Sequence, residues 1–181
     1  MNLHISILPA FFYTSTSQMV RVATEDWAAE NLYCASCAGT LIEYGANTKT
    51  RDFRCAHCQE EFQLKSTTKG LKRSLSGAEY STTLRSISGG CHPSMILLRY
   101  ELSSMEVKEV QIVHRRGITS ACVSPRKPLS ASARRAGWQG CIYLLDQMPP
   151  SVRIDVVKNG TVVPQDEVMM KWRVAAGPSQ A

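Results

Sequence analysis

Two Cys-x-x-Cys pairs, Cys34-Ala35-Ser36-Cys37 and Cys55-Ala56-His57-Cys58, stand close together in the first third of the chain. One such turn can aim two thiolates at a single ion, and two turns complete a tetrahedral zinc site. The interval between Cys37 and Cys55 suits a zinc ribbon. A redox pair is the alternative, but it would sit at a helix start after a strand, and neither pair does. Cys34, Cys37, Cys55 and Cys58 are therefore expected to hold a structural zinc. His57 faces solvent in this reading. With four protein ligands the ion keeps no open position, so its role is to fold the chain.

A second group flanks the second pair. Asp52 precedes it, and Gln63 and Lys65 follow it in Glu61-Phe62-Gln63-Leu64-Lys65. A carboxylate and an amide oxygen can hold Mg²⁺, and a nearby lysine can offset charge or take a proton from water. That set suits phosphodiester hydrolysis. The spacing of Asp52, Gln63 and Lys65 is weak by itself, because charges on a strand face are usually solvated.

The elements that must position these groups are short. Arg51 to Arg54 and Glu61 to Ser66 read as antiparallel strands joined by the cysteine turn. Glu61, Gln63 and Lys65 then share one strand face and Phe62 and Leu64 the other. Upstream, Leu3 to Leu8 reads as a strand, and Ile7 to Tyr13 as strand and loop against the core. Helical spacing of apolar residues follows from Ser17 to Leu32. Thr24-Glu25-Asp26 resembles a second helix start, so two short helices are expected. A Gly/Asn/Thr-rich connection covers Gly45 to Thr48.

Downstream, Lys69 to Ser76 is a basic, Ser-rich loop and Ala78 to Ile87 a helix ended by Gly89-Gly90. Met95 to Leu102 and Val107 to Val113 form a strand pair. Ser124 to Gly140 is irregular and carries Arg126, Lys127, Arg134, Arg135 and Trp138. Val152 to Val157 and Thr161 to Val163 flank Lys158-Asn159-Gly160, a strong hairpin signal. The last ten residues read as a fraying tail.

The chain has 181 residues, 44% of them hydrophobic and 20% charged, which suits one domain with a sizeable core. Its net charge of +6 favours a polyanionic partner only weakly. No apolar run approaches the ~20 residues of a membrane span, and no basic residue precedes Ile7 to Tyr13, which makes a poor signal peptide. A reducing compartment, the cytoplasm, is expected. Cys91, Cys122 and Cys141 lack partners at metal spacing and are expected to be buried as small apolar residues.

Several blocks resemble the DpnI-like, Dam-replacing family of methyl-directed restriction endonucleases. They are Thr24-Glu25-Asp26-Trp27, Tyr33-Cys34 with Cys37, Asp52-Phe53, Cys55 with His57-Cys58, Glu60-Glu61-Phe62 and Leu64-Lys65-Ser66. Arg126-Lys127-Pro128-Leu129, Ala133-Arg134-Arg135-Ala136-Gly137-Trp138 and Gly140-Cys141 complete the series. The resemblance implies an α/β, mixed-sheet PD-(D/E)xK nuclease core with an inserted four-cysteine zinc site. It implies Mg²⁺-dependent cleavage of double-stranded GATC DNA bearing N6-methyladenine, in bacterial restriction. Asp52 carries over as a metal ligand and Lys65 as the catalytic lysine. Arg126, Lys127, Arg134, Arg135 and Trp138 become DNA contacts. Apart from the resemblance, the basic cluster of Lys69, Lys72 and Arg73 suits either a second phosphate contact or a plain solvated loop.

Two departures from the family pattern are visible. Its second acid falls at Gln63, which adds no negative charge; Glu61, on the same face, is a candidate to compensate. The nuclease domain is expected over residues 1–170, with a short tail over 171–181 in place of the family's winged-helix domain. A monomer is expected, with no membrane and no small-molecule substrate. The alternatives are a methylated-DNA-binding module that does not cleave, motivated by Gln63, and a zinc-stabilised fragment without independent function.

Overall fold

The computed structural model describes residues 1–45, 48 and 50–178. Ala46 and Asn47 of the expected connection, and residues 179–181 of the expected tail, lie outside the described residues.

Helix α1 (Thr16–Asn31) begins at Ser15, where the polar break falls. It is one helix, not two. Thr24, expected to start a second, is buried, and its hydroxyl donates to the Val20 carbonyl at 2.9 Å. That back-bond satisfies the side chain without breaking the helix. Ala23, Trp27 and Ala28 form its buried stripe. The Trp27 indole N–H donates to the Asn2 carbonyl at 2.8 Å and ties down the N-terminal segment.

That segment is not the strand expected. It makes one isolated bridge, His4 to Glu106, and turns into a short 3₁₀ helix at Leu8–Ala10, where Pro9 sits in the first turn. Nor does Ile7 to Tyr13 pack wholly inward: Ala10 is buried, whereas Leu8, Phe11 and Phe12 are exposed, Phe12 at 91%.

Strands β1 (Leu41–Glu43), β2 (Phe53–Cys55) and β3 (Glu61–Thr67) follow. Then come β4 (Ser74–Glu79), helix α2 (Tyr80–Ser88), β5 (Ser94–Glu101) and β6 (Glu106–Val113). The chain closes with β7 (Val123–Pro125), β8 (Gly140–Leu144), β9 (Arg153–Lys158), β10 (Thr161–Val162) and helix α3 (Gln165–Ala176). Seven strands form a mixed sheet in the order β1-β2-β3-β5-β6-β9-β10, and β4-β8-β7 form a second sheet. The fold is mixed α/β, as expected.

The pair β3–β5 is parallel, with Gln63 opposite Met95 and Lys65 opposite Leu97. A parallel pair needs a long crossover, here containing β4 and α2. The centre of the sheet reads as a continuous apolar run, as a strand buried on both faces must: Met95, Ile96, Leu97 and Leu98 are all buried. At the far edge Asn159 and Gly160 take φ of 49° and 73°, the left-handed pair of a two-residue hairpin turn. Cys122 and Cys141 are buried as expected, but Cys91 is exposed at the end of the α2 connection.

The expected tail is largely an element of the fold. Helix α3 runs through Ala176, and Trp172 is 4% exposed. Its ring meets Phe62 of β3 at 6.0 Å and His114 at 4.5 Å between centroids. The charged residues Asp166, Glu167, Lys171 and Arg173 around it masked a narrow apolar stripe of Val168, Trp172 and Ala175. Trp172→Ala should lower stability by about 3–5 kcal/mol, read from urea unfolding.

His114 gives a pH signature to the same contact. Burial, with Arg115 and Arg116 beside it, pushes its imidazole down to about 4. Its Nδ1 accepts from the Arg116 N–H at 3.2 Å, so the neutral ring is the one the fold uses. The unfolded chain takes up this proton near pH 6.5 and the folded chain only near 4, so stability falls as pH drops between them. Unfolding at pH 5 should show roughly 2 kcal/mol less stability than at pH 7 from this group, a difference that His114→Asn removes.

Candidate metal knuckle and active-site corner

The four expected cysteines converge. Their sulfur atoms all lie within 4.8 Å of one another, and Cys34–Cys58 and Cys37–Cys55 are 3.5 and 3.4 Å apart. Tetrahedral zinc with Zn–S bonds near 2.3 Å requires S···S separations of about 3.8 Å, so the cluster fits that ion. Both turns have the same backbone. Ala38 and Gln59, each following a second cysteine, take φ of 61° and 62°. The Cys34 N–H donates to the Gly39 carbonyl at 2.9 Å and the Cys55 N–H to the Glu60 carbonyl at 2.8 Å. Non-glycine residues rarely adopt this conformation, and two equivalent instances mark a built site.

The thiols divide by environment. Burial raises Cys34. At Cys55 burial also works against the thiolate, but the N–H groups of Cys58 and His57 outweigh it and bring the group down to about 7. His57 is exposed, as expected. Gly39 admits no side chain, since a Cβ there would lie 2.8 Å from Cys55 Sγ and 2.9 Å from His57 Nδ1. The two turns are stitched by the Ala56 N–H donating to Thr40 O at 2.9 Å.

Immediately after this knuckle, strand β3 carries the second group. Asp52 ends the segment before β2, and its backbone is held from both sides: its N–H donates to Phe62 O, and its carbonyl accepts from the Tyr44 N–H, each at 2.9 Å. Its Oδ2 accepts from the Leu64 N–H at 2.7 Å, which leaves Oδ1 for another partner. Asp52, Gln63 and Lys65 line one open cavity of about 610 Å³. Burial raises the Asp52 carboxyl and Glu25 adds to this, while the Leu64 amide, Lys65 and Arg21 oppose it. Burial likewise lowers Lys65, against the pull of Asp52. A carboxylate and an amide oxygen, with the carboxylate's charge only partly offset, fit a hard divalent cation.

The structure adds two residues to this corner. Glu25 and Arg21 of α1 line the same cavity and pair with each other at 2.8 Å. Glu25 was hidden because its neighbourhood resembled a helix start; in the helix interior it is instead turned toward the corner. Glu61, the candidate to compensate for Gln63, is not among the residues that line this cavity. It takes the Tyr44 hydroxyl at 2.6 Å and pairs with Arg51 at 3.0 Å, outside that cavity.

On the other side of Lys65 a cavity of about 320 Å³ is lined by Lys69, Ser74 and Ser76 among others. Lys72 and Arg73 are exposed nearby in sequence. The irregular segment between β7 and β8 proves to be ordered by its own backbone: Leu129 N–H donates to Trp138 O at 2.9 Å and Gly137 N–H to Leu129 O at 3.0 Å. Arg126, Lys127, Arg134 and Arg135 are exposed on it. The Arg135 guanidinium stands 4.7 Å over the half-buried Trp138 ring. Both face a cavity of about 430 Å³ with Thr50 and Glu79, so this distant segment reaches the chain just before Asp52.

A mixed α/β fold with a four-cysteine knuckle that could hold zinc stands beside an Asp/Gln/Lys cavity, a candidate cation site. The family model for DpnI, the Dam-replacing family, matches residues 1–177, and the chain belongs to this family. The match takes in all of α3, in line with its packing.

The zinc reading has a direct test. Elemental analysis should find one zinc per chain, and Cys34→Ser should reduce it. Structural zinc contributes on the order of 10 kcal/mol, comparable to a whole domain's net stability, so chelation should unfold the protein.

Proposed function

We propose that the protein is a methyl-directed deoxyribonuclease of the PD-(D/E)xK type, hydrolysing GATC DNA that carries N6-methyladenine. The observation that carries this reading is the cavity shared by Asp52, Gln63, Lys65 and Glu25 in a chain of the DpnI family. Asp52 Oδ1 and the Gln63 amide oxygen would hold Mg²⁺, with Glu25 in the same cavity contributing negative charge. When bound, the ion would polarise the phosphate and favour ionisation of water.

The chain's own groups do the rest. Asp52 is oriented by the Leu64 amide, so one carboxylate oxygen is always presented to the cavity. Lys65 sits where burial favours its neutral amine. In that form Nζ takes the proton of the attacking water as the new P–O bond forms; the leaving oxygen departs and is protonated from solvent. Lys69, Ser74 and Ser76 can hold a neighbouring phosphate. Arg126, Lys127, Arg134 and Arg135 suit further phosphates or guanine edges, and Trp138 suits base stacking. We place this activity on residues 1–176, acting as a monomer in the bacterial cytoplasm.

Gln63 supports one second reading, a module that binds methylated DNA without cutting it. A neutral amide leaves the cation site one charge short, and Arg21 already draws on Glu25.

Plasmid from an adenine-methylating host should be cut with Mg²⁺ and left intact with chelator, and unmethylated plasmid should survive both. Asp52→Ala should abolish cutting. Methylation-selective binding with no cutting, together with cutting gained by Gln63→Glu, would establish the second reading instead.

A further inference from the structure

Behind the cavity, Gln63 joins a polar chain whose other members, Tyr143 and His92, the cleavage chemistry above does not use. Gln63 is 4% exposed, His92 4% and Tyr143 fully buried. His92 Nδ1 lies 2.7 Å from the Pro93 carbonyl, which can only accept, so Nδ1 carries the ring proton. Burial keeps the ring neutral. Its Nε2 is then an acceptor, and the Tyr143 hydroxyl at 3.0 Å donates to it. Tyr143 has no second proton to give.

The Gln63 Oε1 position lies 3.4 Å from that same hydroxyl oxygen. An amide oxygen there would face another oxygen with no hydrogen between them. With the amide turned end for end, its nitrogen donates to Tyr143, and the meeting of two acceptors is removed. Amide oxygen and nitrogen are assigned by their hydrogen-bond network, so the network decides the orientation. The amide oxygen is then the end turned away from Tyr143, on a residue that lines the cavity with Asp52 and Lys65. The ring itself is pinned, because a Cβ at Gly77 would lie 2.7 Å from it and 2.3 Å from Cys141 Sγ, so β4 backbone packs directly on both.

We infer that Tyr143 and His92 are positioning residues that hold the amide oxygen of Gln63 toward the cation site beside Asp52. The inference rests on the function proposed above. It gives the glutamine a reason for its surroundings. A carboxylate offers oxygen at either end and needs no such guide, whereas an amide presents the wrong end unless something fixes it.

The test uses the intact chain with Mn²⁺ as the probe. In protein labelled with ¹⁵N-glutamine, the Gln63 amide protons should show cross-peaks to the Tyr143 ring; their absence in a folded sample overturns the orientation. Mn²⁺ binding, followed by electron paramagnetic resonance, should weaken about tenfold in Tyr143→Phe, as loss of an outer-shell partner does. The same substitution should leave Mn²⁺ affinity unchanged in a Gln63→Glu background. Zinc content and melting temperature verify that each variant is folded. Equal losses in both backgrounds would make Tyr143 merely structural and overturn the inference alone. Mn²⁺ binding indifferent to Asp52→Ala would overturn it together with the function it rests on.

Discussion

The parallel pairing of β3 with β5 is the constraint on which the rest depends. It places β3 inside the sheet, with β2 on its other edge, so its backbone has no freedom to slip. A one-residue shift would turn Gln63 and Lys65 to the opposite face of the strand. The register is locked by burial: Phe62 lies under Trp172, and Met95 to Leu98 fill the neighbouring strand. Asp52 then inherits its position, since its carboxylate accepts from Leu64 N–H on this same strand. Main-chain pairing thus sets where the corner's residues stand along the sheet.

The knuckle and the corner divide their labour by chemistry. Four sulfurs in a closed tetrahedron suit an ion that stays and holds, whereas oxygen donors at an open cavity suit one that exchanges and reacts. The turn that carries Cys55 and Cys58 joins β2 to β3, so the knuckle sets the separation of Asp52 from Lys65 without touching the cavity. Gln63 leaves the corner with less negative charge than two acids would. That suits the half-buried lysine beside it, because each nearby carboxylate would pull Lys65 back toward its charged form.

Much of this was legible in local spacing. The cysteine turns, the strand pair around them, the β5–β6 pair and the Asn159-Gly160 hairpin all declare themselves within a few residues. What was not legible depends on distant packing. Glu25 looked like part of a helix start because Thr24-Glu25-Asp26 satisfies the capping pattern, yet Thr24 finds its partner one turn back and the helix runs on. Trp172 looked like a residue of a charged tail because its stripe is narrow. The expected first strand is a single bridge that runs on into the 3₁₀ helix containing Pro9. His92 and Tyr143 carry no motif at all: they are isolated polar residues until the second sheet closes over β3. Glu61 had the right face by periodicity but was claimed by Tyr44 and Arg51.

The order of the chain gives the knuckle a temporal meaning as well. All four cysteines, Asp52 and Lys65 are synthesised before β5, and their mutual contacts span short stretches of sequence. Such local contacts form early, whereas the parallel β3–β5 pairing must await the whole crossover. Metal capture during synthesis would therefore preform the β2–β3 hairpin while its final neighbour is still unmade. An exposed strand edge is most hazardous during that interval, and a hairpin already cross-linked by an ion has fewer wrong partners open to it. The zinc would thus act in time as well as in space, as a placeholder for a sheet that is not yet there.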